Sequence, residues 1–133
     1  SGVVFVSFMS YSRKQIVEQA ALNFKVAIEK AKSNALARVK PSGCTSLASY
    51  SLEIAGNAYY ARASCASGDI SEASIQLPQN VSFIQIGCSS LVFGILSNAL
   101  LCGQGELPAN YILAGYGIEK TIIVNNGGNV QIQ

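Results

Sequence analysis

Cys44, Cys65, Cys88 and Cys102 are the side chains of this 133-residue sequence best suited to covalent chemistry. Their spacing fits no Cys-x-x-Cys metal or redox pattern, and the chain contains no histidine to complete a zinc site. Two disulfides are the favoured reading. Three pairings are open in principle; if a hairpin turns near Ala55-Gly56, Cys44 and Cys65 fall opposite one another and Cys88 is left with Cys102. Such bridges imply an oxidising, periplasmic or extracellular location, whereas four buried thiols in a cytosolic core are the plain alternative. A nucleophilic Ser or Cys would need a Lys or carboxylate base, and neither a Gly-x-Ser-x-Gly nor a Ser-x-x-Lys pattern occurs. The acids Glu53, Asp69, Glu72, Glu106 and Glu119 are scattered singly, without paired-carboxylate or calcium-loop spacing. Gly115-Tyr116-Gly117 reads as a turn rather than a phosphate loop, and Asn80-Val81-Ser82 as a chance match to a glycosylation acceptor. Tyr50, Tyr59, Tyr60, Tyr111 and Tyr116 could present stacking faces, although half-buried sheet positions explain them equally. The expectation is a non-enzymatic protein with no catalytic residue, metal or cofactor.

The elements that hold these groups divide the chain in two. At 50% hydrophobic and 12% charged residues, the composition fits one folded domain with an unusually uncharged surface. The nine basic and seven acidic residues are unevenly distributed. Arg13, Lys14, Lys25, Lys30, Lys32, Arg38 and Lys40 face only Glu18 and Glu29 in the first 40 positions, and acids outnumber bases afterwards. Residues 1–39 contain no proline, and Pro41-Ser42-Gly43 marks a break beyond which glycine, serine, asparagine and β-branched residues prevail. A helix over 1–40 is expected to precede a β-rich head over 44–133.

Ile16, Ala20, Phe24, Ala27, Ile28, Ala31 and Ala35 recur at helical spacing, with Val17 and Ala21 widening the stripe. This is the expected helix–sheet core. Glu18, Gln19, Asn23, Lys25, Glu29, Lys30, Lys32 and Ser33 form the expected wet face, with Glu29 placed to pair with Lys25 or Lys32. A helix from Val3 to Arg38 would be about 54 Å long, more than the remaining chain can cover. Val3, Val4, Phe5, Val6, Phe8 and Met9 lie in a stretch apolar all round. Residues 1–12 therefore read as the remnant of a longer apolar assembly or membrane half, and 13–40 as the amphipathic half. A buried helix end is the bland alternative.

After Cys44 the period becomes two. Ser46–Ile54 alternates Leu47, Ser49, Ser51 and Glu53 against Ala48, Tyr50, Leu52 and Ile54, and Asn57–Cys65 returns after an Ala55-Gly56-Asn57 turn. Val81–Ile86 and Leu91–Leu96 are further strands, followed by a loop over 102–110 and a short strand at Tyr111–Ala114. Glu119–Val124, Asn125-Asn126-Gly127-Gly128 and Asn129–Gln133 read as a terminal hairpin, with Asn and Gly supplying positive φ. The predicted class is α+β: a roll in which a long N-terminal helix packs on an antiparallel sheet of about six to eight strands.

Three segments carry a resemblance spanning nearly the whole chain: Leu77-Pro78-Gln79-Asn80-Val81-Ser82-Phe83, Leu91-Val92-Phe93-Gly94, and Lys120 through Gln133. With the helix end Ala31–Arg38 they are similar to the type IV pilin-like domain of H-type minor pseudopilins and FimT-like minor pilins. The family's prepilin signature, a cleavage Gly followed by Phe and an early Glu, is absent, so N-terminal truncation is the expected reading. The resemblance implies a structural subunit of a type IV pilus or type II secretion pseudopilus. Its partners would be other such subunits in a helical filament, and the inner membrane before assembly through the missing segment. It would reside in the inner membrane and periplasm first, then in a periplasmic or extracellular filament.

Two other readings are open. Some FimT-like members bind DNA during uptake, and Lys25, Lys30, Lys32, Arg62 and Lys120 are the cations available for phosphate contacts. The arginine-rich C-terminal region attributed to such members is absent, since this chain ends Asn-Val-Gln-Ile-Gln. A secreted domain binding a ligand or protein through exposed tyrosines and the Cys88–Cys102 loop is the other.

Overall fold

The computed structural model describes residues 2–95 and 100–133, with side chains from residue 12 onward. The side chains of Val3, Val4, Phe5, Val6, Phe8 and Met9, and the residue Leu96, lie outside the described residues.

The proline-free opening forms one helix, α1, Gly2–Ala37. It stops where Arg38 enters the left-handed region, φ 53°. The Arg38 amide then donates to Ala35 O at 3.2 Å and the Val39 amide to Asn34 O at 3.0 Å, satisfying carbonyls that the last turn would leave without partners. Beyond it run β1 (Leu47–Ala55), β2 (Ala58–Cys65), β3 (Gly68–Gln76), β4 (Ser82–Gln85), β5 (Ser90–Gly94), β6 (Leu100–Gly103), β7 (Ala109–Gly115), β8 (Ile118–Val124) and β9 (Val130–Ile132). All pairings are antiparallel. The strands make two sheets, ordered β3-β2-β1-β5-β6 and β4-β7-β8-β9. The α+β class is therefore as read, but among the described residues the strands number nine in two sheets instead of six to eight in one.

The differences have local causes. In β3, Ser71 pairs with Arg62 and Ala73 with Ala61, so Glu72 bulges out of the ladder and breaks the period-two pattern between Ile70 and Ala73. A second bulge, at Ala48, puts Leu47 on the same buried side as Tyr50 and Leu52, opposite to its place in the sequence alternation. β6 occupies Leu100–Gly103, where a loop was expected to begin, and β7 is longer than the predicted Tyr111–Ala114. The first hairpin turns on Gly56 and Asn57, with positive φ at Gly56 alone, as a type II′ turn requires. In the terminal hairpin it is Gly128, φ 84°, and no asparagine, that takes the left-handed position.

Packing explains why the helix and sheets form a unit. Val17, Ala20, Ala21, Phe24, Ile28, Ala31 and Ala35 are buried along one helix face, whereas Ile16 and Ala27, expected in the core, flank it only partly buried. The four alanines allow close approach of strands, and Phe24 fills the centre. Its ring meets Tyr59 of β2 at 5.2 Å, Phe83 of β4 at 5.2 Å and Tyr111 of β7 at 5.0 Å, all edge-on. Gly115 closes one end: a β-carbon there would lie 2.7 Å from Asn80 O and 3.3 Å from Val17 Cγ2.

Tyr50, Tyr59 and Tyr111 are fully buried rather than half-buried. Burial pushes the Tyr59 hydroxyl up to about 12. It does the same to Tyr111, against the opposing effect of a hydrogen bond with the Cys88 backbone. Tyr50 is raised by burial and, secondarily, by the Glu72 carboxylate.

Two outcomes follow. Phe24→Ala should lower unfolding stability by about 3–5 kcal/mol in urea denaturation, because the cavity borders both sheets. The raised phenols favour the neutral form in the folded chain, so their contribution is complete below the unfolded value of about 10 and is lost as pH rises towards 12. Each of Tyr59 and Tyr111 should then cost on the order of 2 kcal/mol, read as a falling urea midpoint accompanied by late-rising tyrosinate absorbance.

Candidate functional site

The helix presents three different surfaces around its buried stripe. Towards the second sheet, Glu18 is half-buried and accepts Lys120 at 3.5 Å, with Lys14 of the same helix at 3.9 Å. About four turns further along, Lys32 donates to Asn129 Oδ1 at 3.5 Å, and its stem lies against Gly128. The expected Glu29 pairing with Lys25 or Lys32 is replaced by these contacts: among the described residues the ion pairs are Lys14–Glu18, Lys120–Glu18 and Arg62–Glu53. Towards the first sheet, Lys30 and Asn34 border an apolar hollow floored by Tyr50, Tyr59 and Ile75. The Tyr50 hydroxyl donates to Val39 O, tying the helix exit to β1.

The outward face is not uniformly wet. Leu22, Val26 and Leu36 are 44%, 52% and 58% exposed, a second apolar element that the sequence reading left out because these residues fall off the dominant stripe. Their spacing around Glu29 and Ser33 on a helical projection was the signal available.

The five cations considered for phosphate contacts are not gathered into one patch. Arg62 lies on the outer side of β2, 3.1 Å from Glu53 and with its guanidinium 5.7 Å from the Tyr60 ring centre. Lys120 and Lys32 are held against the second sheet, while Lys30 borders the hollow on the first. Lys25 is half-buried on the helix.

Cys44 is bonded to Cys65 and Cys88 to Cys102, with Cα separations of 5.6 and 5.3 Å. The first bridge ties the segment after the helix to the end of β2, and the second joins the approach to β5 with β6. Tyr111 secures the second from beneath: its hydroxyl donates to Cys88 O at 2.8 Å and accepts from the Cys88 amide at 3.1 Å. No group of three or more Cys, Asp or Glu suited to holding a metal occurs among the described residues. Nor is any helix, over those residues, long and apolar enough to cross a membrane.

No protein-family profile, curated protein or solved structure matches this chain. Functional inference therefore rests on the surfaces described above.

Replacing either cystine by paired alanines should reduce stability by about 3 kcal/mol, from the loop entropy returned to the unfolded chain. Thermal melts of the two double variants, with and without reductant, check this: reductant should further destabilise each variant by opening the remaining bridge.

Proposed function

We propose that this chain is a non-enzymatic structural subunit of a type IV pilus or type II secretion pseudopilus, a pilin-like roll that assembles through its N-terminal helix. The observation that carries the reading is the helix's second apolar element. One face is buried by the chain's own sheets, while Leu22, Val26 and Leu36 stay exposed on the other side. Near its start the same helix carries Val3–Met9, apolar but for Ser7. A rod with apolar surface left over after its head has folded gains most by lying against like rods or in lipid, at roughly 25 cal/mol for each Å² of apolar surface removed from water. Transfer from lipid to a helix bundle is nearly balanced, which suits assembly driven by a motor. Two disulfides suit a periplasmic and then filamentous location.

Binding of DNA receives less support, because Arg62, Lys120 and Lys32 are each engaged within the head and the cations do not converge.

Self-association and partition onto phosphatidylethanolamine–phosphatidylglycerol vesicles test the proposal, by sedimentation velocity and flotation. The unaltered chain should associate with itself or float with vesicles. Phe5→Asp with Phe8→Asp should abolish both, and Leu22→Asp with Val26→Asp should weaken self-association with the circular dichroism spectrum unchanged. A concentrated monomer that ignores vesicles, with the amides of Val3–Met9 protected from exchange, would overturn it.

A further inference from the structure

An open cleft of about 700 Å³ lies between the helix at Ser12–Asn23, the Pro78-Gln79 segment and the turn at Tyr116. That volume is in the range of about 300–1,000 Å³ typical of small-molecule sites. We propose that it binds a neutral saccharide, an inference that shares only Leu22 with the assembly reading.

The lining is unusual in its chemistry. Gln15, Gln19, Asn23 and Gln79 bring four carboxamides to one concavity. A carboxamide both donates and accepts, which matches hydroxyl groups that do the same. The Gln19 Nε2 group donates to Asn23 Oδ1 at 2.9 Å, leaving the Gln19 carbonyl oxygen and the Asn23 amino group as the pair's outer acceptor and donor. Among the described residues Glu18 is the sole charged side chain in the lining, and Lys14 and Lys120 pair with it. The cations nearest the cleft, Arg13 over the Tyr116 ring and Lys14 and Lys120 at Glu18, already have partners, so the lining suits a neutral ligand better than a phosphate or carboxylate. Ile16, Leu22 and Pro78 supply apolar surface for the C–H edges of a sugar ring.

The second, independent observation is the backbone at Tyr116. With Gly117 it forms a two-residue turn joining Gly115 to Ile118, and both central residues have positive φ, 55° and 76°. Such positions favour Gly, Asn or Asp, so an aromatic residue there is held against its backbone preference. Strain of this kind concentrates at functional sites. Neighbours fix the ring: the Arg13 guanidinium sits 5.2 Å from its centre and Asn80 Nδ2 donates to its hydroxyl at 3.3 Å. Asn80 is itself left-handed, φ 69°. The strained Tyr116 and Asn80, whose residue type tolerates its left-handed backbone, thus meet at one rim to present an aromatic surface beside four amides. The cleft walls are helix, loop and turn with no strand edge, which favours a compact polyhydroxyl ligand over an extended peptide.

Titration of the 15N-labelled chain with glucose, galactose, N-acetylglucosamine and their β-linked disaccharides, alongside galacturonate, tests this. At least one neutral sugar should give saturable millimolar shifts at the Gln19, Asn23 and Gln79 side-chain amides and the Tyr116 amide, with galacturonate weaker. Tighter binding of the disaccharide would point to a glycan, and equal binding to the free sugar; both support the proposal. Tyr116→Gly removes the ring while easing the turn, and Gln79→Ala removes one amide. Each should weaken binding about tenfold or more, with thermal stability undiminished. No saturable shift with any sugar, equal binding of galacturonate, native affinity in Tyr116→Gly, or shifts that follow protein concentration and so report a second copy in the cleft would each overturn it.

Discussion

Phe24 is where the architecture is decided. Its ring touches β2 of one sheet and β4 and β7 of the other, so the helix is the common floor on which both sheets register. Small residues surround it along the stripe: Ala20, Ala21, Ala31 and Ala35 keep the strands near the helix axis, and a larger side chain at those places would push a sheet away from the ring. The dominant stabilising term is therefore one continuous apolar contact. Polar contacts bound it, Lys120 to Glu18, Lys32 to Asn129 and Tyr50 to Val39 O, and the exposed ones among them add little beside the buried stripe.

The sequence made some of this legible, and the failures are instructive. The helix and its stripe were readable because residues 1–39 lack proline and the apolar spacing continues without a fault from Val17 to Ala35. The two hairpins were readable because Gly56 and Gly128 sit where alternation stops. β3 was missed because the bulge at Glu72 shifts Ile70 out of phase with Ala73 and Ile75. A periodicity argument assumes an unbroken ladder, and bulges violate it. The division into two sheets was invisible for a different reason: which strand pairs with which depends on long-range closure, and alternation within a strand carries no information about its partner.

The candidate surfaces differ in the same way. Cysteines announce themselves by type, so the favoured pairing could be argued from one hairpin. The amide-lined cleft could not be, because Gln15, Gln19, Asn23 and Gln79 read individually as ordinary solvated residues. Only the fold brings Gln79, far along the chain, beside the first turns of the amphipathic half of the helix. Tyr116 was recognised as part of a turn, yet its left-handed backbone is a property of geometry that no composition rule conveys.

The path of the chain between the sheets carries a last consequence. After β4 it leaves the second sheet, makes β5 and β6 in the first, and returns for β7, which pairs directly with β4. The two sheets are thus interleaved along the polypeptide and neither is a self-contained folding unit. The excursion is cinched by the Cys88–Cys102 bridge, and Tyr111 grips the backbone at its start. Oxidation of that one pair shortens the search by which β4 and β7 find each other, coupling maturation of the head to the redox state of the compartment in which it folds.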